Sequence, residues 1–347
     1  MNSNILTLRA ATGLAVASMT IAPLAGCSGA STALPQAPLS PSIARASVPA
    51  ADAAESQAQN DHHKKKTKQL LFVSDNENNE IRVFNAASKS QNPPPLRTIT
   101  SGINGPNGIA TDKSGDLYVA NYVSNTVTVY APNGSTPKTT ISNGLNGPFD
   151  VKVDAFGNVY VANNPLYGGI AFIQLYPAGS SSPSYTWSVP TTGTTISGIA
   201  LLNATTKGET SIYALGYTLD RSDLAHGFAL TCYPGSPTCT TLSYTFGQTG
   251  GIAVSQSPTS KPFQWLAVDQ YVPGVDIFTL GGSTTQLVTG GTPEFITMNS
   301  ADNVLYVADR FYGRVTAYSF PAGKTLNTYS GGAQVYGVAT SPSGTFH

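Results

Sequence analysis

One sequence unit recurs from Gln69 toward the C-terminal end, and a repeat of this length restricts the chain to architectures built by stacking copies of a single supersecondary unit. Two copies align without gaps over their first half. In one, Gly105, Pro106, Asn107, Gly108, Ile109, Ala110, Thr111 and Asp112 lead through a turn at Ser114 and Gly115 into Asp116, Leu117, Tyr118, Val119, Ala120 and Asn121. The next runs Gly147, Pro148, Phe149, Asp150, Val151, Lys152, Val153, Asp154, then Gly157, Asn158, Val159, Tyr160, Val161, Ala162 and Asn163. Each copy holds four short runs rich in Val, Ile, Tyr and Thr. Gly, Asn, Asp and Pro separate them, which predicts strands joined by tight turns.

The polar or small residue ending the second strand marks each copy: Asp75, Asn121, Asn163, Gly216, Asp269 and Asp309, at spacings of 46, 42, 53, 53 and 40 residues. Four strands at a period in the forties predict a propeller blade, because a small twisted sheet buries its faces only against neighbours in a ring. Six markers predict an all-β, six-bladed β-propeller of four-stranded antiparallel blades. The first copy, Gln69 to Thr100, lacks an innermost strand, and Val335 to Thr340 reads as an innermost strand alone. The two are expected to complete one blade and close the ring, which removes exposed sheet edges. Charged residues amount to 10% of the chain, against about 25% on average, as in extracytoplasmic β proteins rich in turns. With 18 basic and 18 acidic residues the net charge is zero, so nothing gathers nucleic acid, and no nucleic-acid partner is expected.

The motifs Gly-Pro-Asn-Gly-Ile-Ala-Thr-Asp and Leu-Tyr-Val-Ala-Asn resemble those of NHL-type and SMP-30/gluconolactonase-like (TolB-like) six-bladed propellers, over the whole chain from about Gln69. Such motifs specify a fold and leave activity open.

Three regions are expected: a signal peptide over residues 1–26, a lipidated cysteine and tether over 27–68, and the propeller over 69–347. Residues Met1 to Leu24 carry one cation, Arg9, and an apolar run from Ala11 that is too short to span a bilayer. That run ends in Leu24, Ala25, Gly26, Cys27, which resembles the lipobox of bacterial lipoproteins; the resemblance implies that Cys27 is lipidated and becomes the mature N-terminus. Buried acyl chains, at about 0.8 kcal/mol per CH₂, would then hold the protein on a membrane. Ser28 follows, which in a two-membrane bacterium favours the outer membrane. From Ser28 to Lys68 large apolar residues are almost absent, as in a flexible tether with a reach of about 35 Å. The run His62, His63, Lys64, Lys65, Lys66 reads as solvated charge at its end.

Cys232 and Cys239 flank a turn-forming sequence and predict a hairpin disulfide, which fits an oxidising compartment. His226 is the only histidine inside a blade. That argues against a zinc site, and Ser222 and Asp223 lie too close to it along one loop to complete a triad. Asp150 and Glu294 begin innermost strands, and Asn121, Tyr122, Asn163, Tyr217, Asp269, Tyr271, Arg310 and Tyr336 share their end of the blades, the channel mouth where propellers bind ligands. Aromatic faces beside carboxylates and amides suit sugars, peptides or other small polar ligands. The repeated Asp and Asn markers suit two roles, holding a turn in each blade or contributing to a hard-cation site.

Two functions follow. No cofactor is needed by the first, a non-catalytic surface propeller that binds an envelope protein or polysaccharide or acts as a scaffold. The resemblance to SMP-30 implies an alternative, a lactonase or hydrolase in which Ca²⁺ or another divalent cation activates water, with Glu294, Asn121, Asn163 and Asp269 as its ligands.

Overall fold

The structure, a computed structural model, describes residues 69–165, 169–190, 194–202, 207–208, 210–219, 225–246, 248–255, 264–269, 274–279, 284–288 and 291–341. The expectations for the signal segment, Cys27 and the tether lie outside the described residues.

Blade one begins with β1 (Leu70–Asp75), β2 (Glu80–Asn85) and β3 (Arg97–Ile99). Blade two is β4 (Pro106–Thr111), β5 (Leu117–Asn121), β6 (Thr126–Tyr130) and β7 (Thr139–Ile141). Blade three is β8 (Pro148–Val153), β9 (Val159–Asn163), β10 (Phe172–Tyr176) and β11 (Tyr185–Ser188). Blade four is β12 (Thr194–Leu202), β13 (Ser211–Leu219), β14 (Ala225–Cys232) and β15 (Thr240–Phe246). Blade five is β16 (Thr249–Ser255), β17 (Gln264–Asp269), β18 (Gly274–Thr279) and β19 (Thr284–Val288). Blade six is β20 (Pro293–Met298), β21 (Val304–Asp309), β22 (Arg314–Ser319) and β23 (Thr325–Ser330). The last strand, β24 (Val335–Ser341), pairs antiparallel with β1 and so becomes the innermost strand of blade one. Six four-stranded sheets result. Each innermost strand packs against the next, from β4 through β8, β12, β16 and β20 to β24 and back to β4. The chain is a β-propeller closed by strands from both of its ends.

Blades hold one another through apolar faces that alternate along the strands. Between blades one and two, Phe72, Ile81, Val83 and Ile99 pack on Ile109, Leu117, Val119 and Tyr130. Between two and three, Val127 and Ile141 meet Val151, Val161 and Tyr176. Buried tyrosines also keep their hydroxyls bonded: Tyr130 donates to the Ser101 carbonyl at 2.7 Å and Tyr176 to that of Asn143 at 2.8 Å. The turns between first and second strands repeat as well. Asp112 Oδ1 accepts the N–H groups of Ser114 and Asp116, Asp154 Oδ1 those of Phe156 and Asn158, and Asn299 Oδ1 those of Asn303 and Val304.

Blade four departs from the sequence expectation. Gly216 sits opposite Ile196 at the bulge, the register position of the other markers, yet β13 continues past it to Leu219. The other copies place a turn after Asn or Asp, whereas here Tyr217, Thr218 and Leu219 continue the hairpin against Ala225, His226 and Gly227. A Cβ at Gly216 would stand 2.5 Å from the Thr195 carbonyl oxygen and 2.7 Å from the Phe228 ring, which accounts for the missing Asn or Asp.

The predicted disulfide between Cys232 and Cys239 is present, with Cα atoms 4.3 Å apart. It closes the β14–β15 loop and seats that loop on blade three. Trp187 Nε1 donates to the Tyr233 carbonyl at 3.0 Å, and the Ser188 and Cys239 backbones bond across the same junction.

Candidate functional site

The marker residues do one mechanical job: they accept backbone N–H groups from the loop that leads into the innermost strand of their own blade. Asn121 Oδ1 takes the Asn104 N–H at 3.0 Å, and Asn163 Oδ1 that of Asn146 at 3.0 Å. Asp309 Oδ1 takes Thr292 N–H at 3.3 Å, and Asp75 takes those of Ala333 and Gln334 at 2.9 and 3.2 Å. Asn121 and Asn163 are fully buried, and their amide nitrogens are occupied too, at the Val119 carbonyl and Thr128 hydroxyl in one case and the Val161 carbonyl in the other. The backbone of Asp269 lies in the equivalent register, opposite Thr249; its side chain and all of Tyr271 lie outside the described residues.

The next residue along either bridges blades or faces the mouth. Asn76 bonds Pro106 and Asn107 of blade two, and Asn164 bonds Ile196 of blade four through both ends of its amide. Tyr122, Tyr217 and Arg310 occupy the same place in their copies.

Innermost strands approach so closely that four copies carry glycine at one position: Gly108, Gly198, Gly251 and Gly337. A Cβ on Gly198 would stand 2.9 Å from Gly251 Cα, and one on Gly251 would stand 2.9 Å from Phe295 Cα. The remaining two copies have Asp150 and Phe295 there, opposite Ala162 and Ala308, and Glu294 stands one place earlier, the position of Phe149 and Tyr336 in their copies. Asp150 is fully buried and consumed by the scaffold. Its carboxylate accepts from Lys152 Nζ at 2.7 Å and from the backbones of Val151 and Ile199. Burial holds its pKa above the ordinary carboxylate value, with Lys152 and the two backbone donors opposing that shift. Glu294 instead reaches a pocket of about 480 Å³ at the rim between blades five, six and one.

Glu77, Gln248, Thr292, Arg310, Phe311 and Gln334 line this pocket with it. Its walls are pre-positioned by the markers. Thr292, held by Asp309, accepts the Arg310 N–H at its carbonyl and the Phe311 N–H at its hydroxyl, at 3.1 and 3.2 Å. The Arg310 guanidinium lies over the Tyr336 ring, 4.8 Å from its centre. Burial raises the Tyr217 and Tyr336 phenols above their ordinary value; Glu294 adds to the rise in each and Arg310 opposes it. Burial and then Tyr217 raise Tyr122 in the same way. All three phenols are therefore neutral near pH 7 and act as hydrogen-bonding groups. Tyr122, Tyr217, Glu294, Arg310 and Tyr336 are thus brought together, whereas Asn121, Asn163 and Asp150 are committed to the scaffold. Among the described residues no three His, Cys, Asp or Glu side chains converge as a metal site.

No protein-family model matches the chain, and no curated protein matches its sequence. Solved structures match its fold. A chain from the crystal structure of a nidogen/laminin complex superposes with a TM-score of 0.58 at 14% identity, covering 78% of this chain and 98% of that one. Hydrazine synthase from Kuenenia stuttgartiensis gives 0.50 at 16%, covering 72% of each chain. Luciferin-regenerating enzyme gives 0.51 at 14%, covering 67% of this chain and 78% of that one. The likeness is one of fold. At such identities it carries no site residues across.

Glu77, Gln248, Thr292, Phe311 and Gln334 were not among the residues the sequence singled out. A signal existed for two of them: Glu77 and Phe311 stand two places after Asp75 and Asp309, the position Tyr271 holds relative to Asp269.

Proposed function

We propose that the chain is a lipid-anchored extracytoplasmic β-propeller of the cell envelope whose channel mouth binds a polar ligand, from a protein or a polysaccharide, without turning it over. The observation that carries this reading is a rim pocket lined by carboxylates, a guanidinium, amides and an exposed aromatic ring, held rigidly by Asp75 and Asp309. Such a surface matches polar ligands with an apolar edge. The lipobox-like run to Cys27 supports anchoring, and the Cys232–Cys239 disulfide fits an oxidising compartment. The NHL-type wording of the repeats agrees with a binding propeller.

The lactonase alternative needs Glu294, Asn121, Asn163 and Asp269 around one cation. Asn121 and Asn163 could turn to a metal only by releasing the loops they hold. Elemental analysis of the purified chain, melting with and without chelator, and turnover assays on a lactone panel with calcium, zinc or manganese test the reading. Expected are a melting point indifferent to chelation and no turnover. Metal-dependent hydrolysis abolished by Glu294→Gln would overturn it.

A further inference from the structure

Four arginines lie among the described residues, and three are committed within the scaffold. Arg82 binds Glu80 at 2.7 Å and stands 3.8 Å from Asp75. Arg97 donates to the Pro132 carbonyl at 2.9 Å, and Arg314 lies 4.0 Å from Asp309. Arg310 has no carboxylate of the described residues within ion-pair distance; the face of Tyr336 holds it instead. A ring steadies a guanidinium without using its N–H fork, so the fork is available for a carboxylate.

A second uncommitted charge lines the same pocket. Glu77, exposed in the β1–β2 turn of blade one, makes no ion pair with the described residues. It and Arg310 share the cavity without reaching one another. A ligand carrying one charge meets its partner and an opposing charge together: a simple anion would face Glu77 and Glu294, a simple cation Arg310. A ligand carrying an ammonium and a carboxylate satisfies both ends.

We propose that this pocket binds a short zwitterionic peptide, its carboxylate on Arg310 and its ammonium on Glu77. Gln248, Thr292 and Gln334 supply hydrogen bonds to the amides between, and Phe311, 80% exposed on the rim, covers a side chain. The volume of about 480 Å³ falls in the range that encloses small ligands. This inference rests on the binding reading and names its ligand class.

Calorimetric titration of the purified full-length chain tests it, with tri-alanine, N-acetyl-tri-alanine, tri-alanine amide and glutarate as probes. Tri-alanine is expected to bind saturably and each capped form at least about tenfold more weakly. Glu77→Gln should erase the penalty of acetylation alone, and Arg310→Gln that of amidation alone. Both side chains are exposed, so unchanged melting of the variants is the control. Equal affinity for capped and uncapped peptides, or glutarate binding as tightly, overturns the proposal, and acetylated peptide binding at full strength would identify a protein C-terminus as the ligand instead. If peptides fail while an envelope glycan binds in an Arg310-dependent manner, the zwitterion fails and the binding reading stands. Metal-dependent turnover would remove both.

Discussion

Replacing Asp75 by alanine tests how the ring is latched. Its fully buried carboxylate, at the end of β1, accepts N–H groups from Ala333 at 2.9 Å and Gln334 at 3.2 Å, immediately before β24, and from Asn78 at 3.3 Å. A hydrogen bond to a charged acceptor contributes about 1.5–3 kcal/mol. Asn78 is exposed, so water replaces that bond in Asp75→Ala, and Ala333 is exposed as well. Two bonds near the lower end of the range give a loss of about 3 kcal/mol, or about 6–12 °C in melting for a domain of this size. Asp75→Asn keeps one carbonyl oxygen, as Asn121 and Asn163 use in blades two and three, and should lose about half as much. Urea unfolding measures both. The midpoint should fall at unchanged slope, because the surface exposed on unfolding is the same. An Asp75→Ala protein within about 0.5 kcal/mol of the parent would refute the latch.

Three further outcomes follow from the packing. Cys232→Ser with Cys239→Ser opens a loop of seven-residue separation and should cost about 2.5 kcal/mol by chain entropy, read as a lower melting point that reductant reproduces in the parent. Gly108→Ala drives a methyl into the Asp150 carboxylate and to 2.7 Å from Asp150 Cα, and chemical denaturation should register a loss of about 1–3 kcal/mol. Burial pushes the Tyr160 phenol from its ordinary 10.0 up to about 12, and raises Tyr217 and Tyr336 in the same direction. A raised folded value means that this stabilisation is complete below pH 10 and is lost as pH climbs through the folded value. The part of the phenolate absorbance that comes from these buried tyrosines should therefore rise together with loss of the β-sheet circular dichroism signal, and ionisation of all tyrosines at pH 10 in folded protein would contradict it.

The blade count and the closing strand were legible because they are periodic. Strand, turn and marker recur at similar spacing, and a ring is the arrangement in which every copy buries both faces. The cysteine pair was legible for a local reason: its turn lies between two residues that any hairpin brings together. The extended hairpin of blade four was missed because Gly216 resembles a marker by position, while the clashes that require glycine come from the Thr195 carbonyl on the preceding strand and the Phe228 ring on the next.

The site itself divides the same way. By itself the sequence determined that three of the mouth residues lie there, from their places in a repeat: Glu294 and Tyr336 at the second position of innermost strands, and Arg310 after a marker. It did not distinguish the roles of Asp150 and Glu294, two acids at neighbouring positions near the start of innermost strands. Tertiary structure decided that, placing Lys152 and the Ile199 N–H against Asp150 and a pocket beside Glu294. Tertiary structure also turned Asn121 and Asn163 from candidate ligands into supports for their loops, and left Arg310 on an aromatic ring rather than on a carboxylate. The physical reason is that position in a repeat is a local property, whereas which charges are neutralised depends on neighbours from other blades.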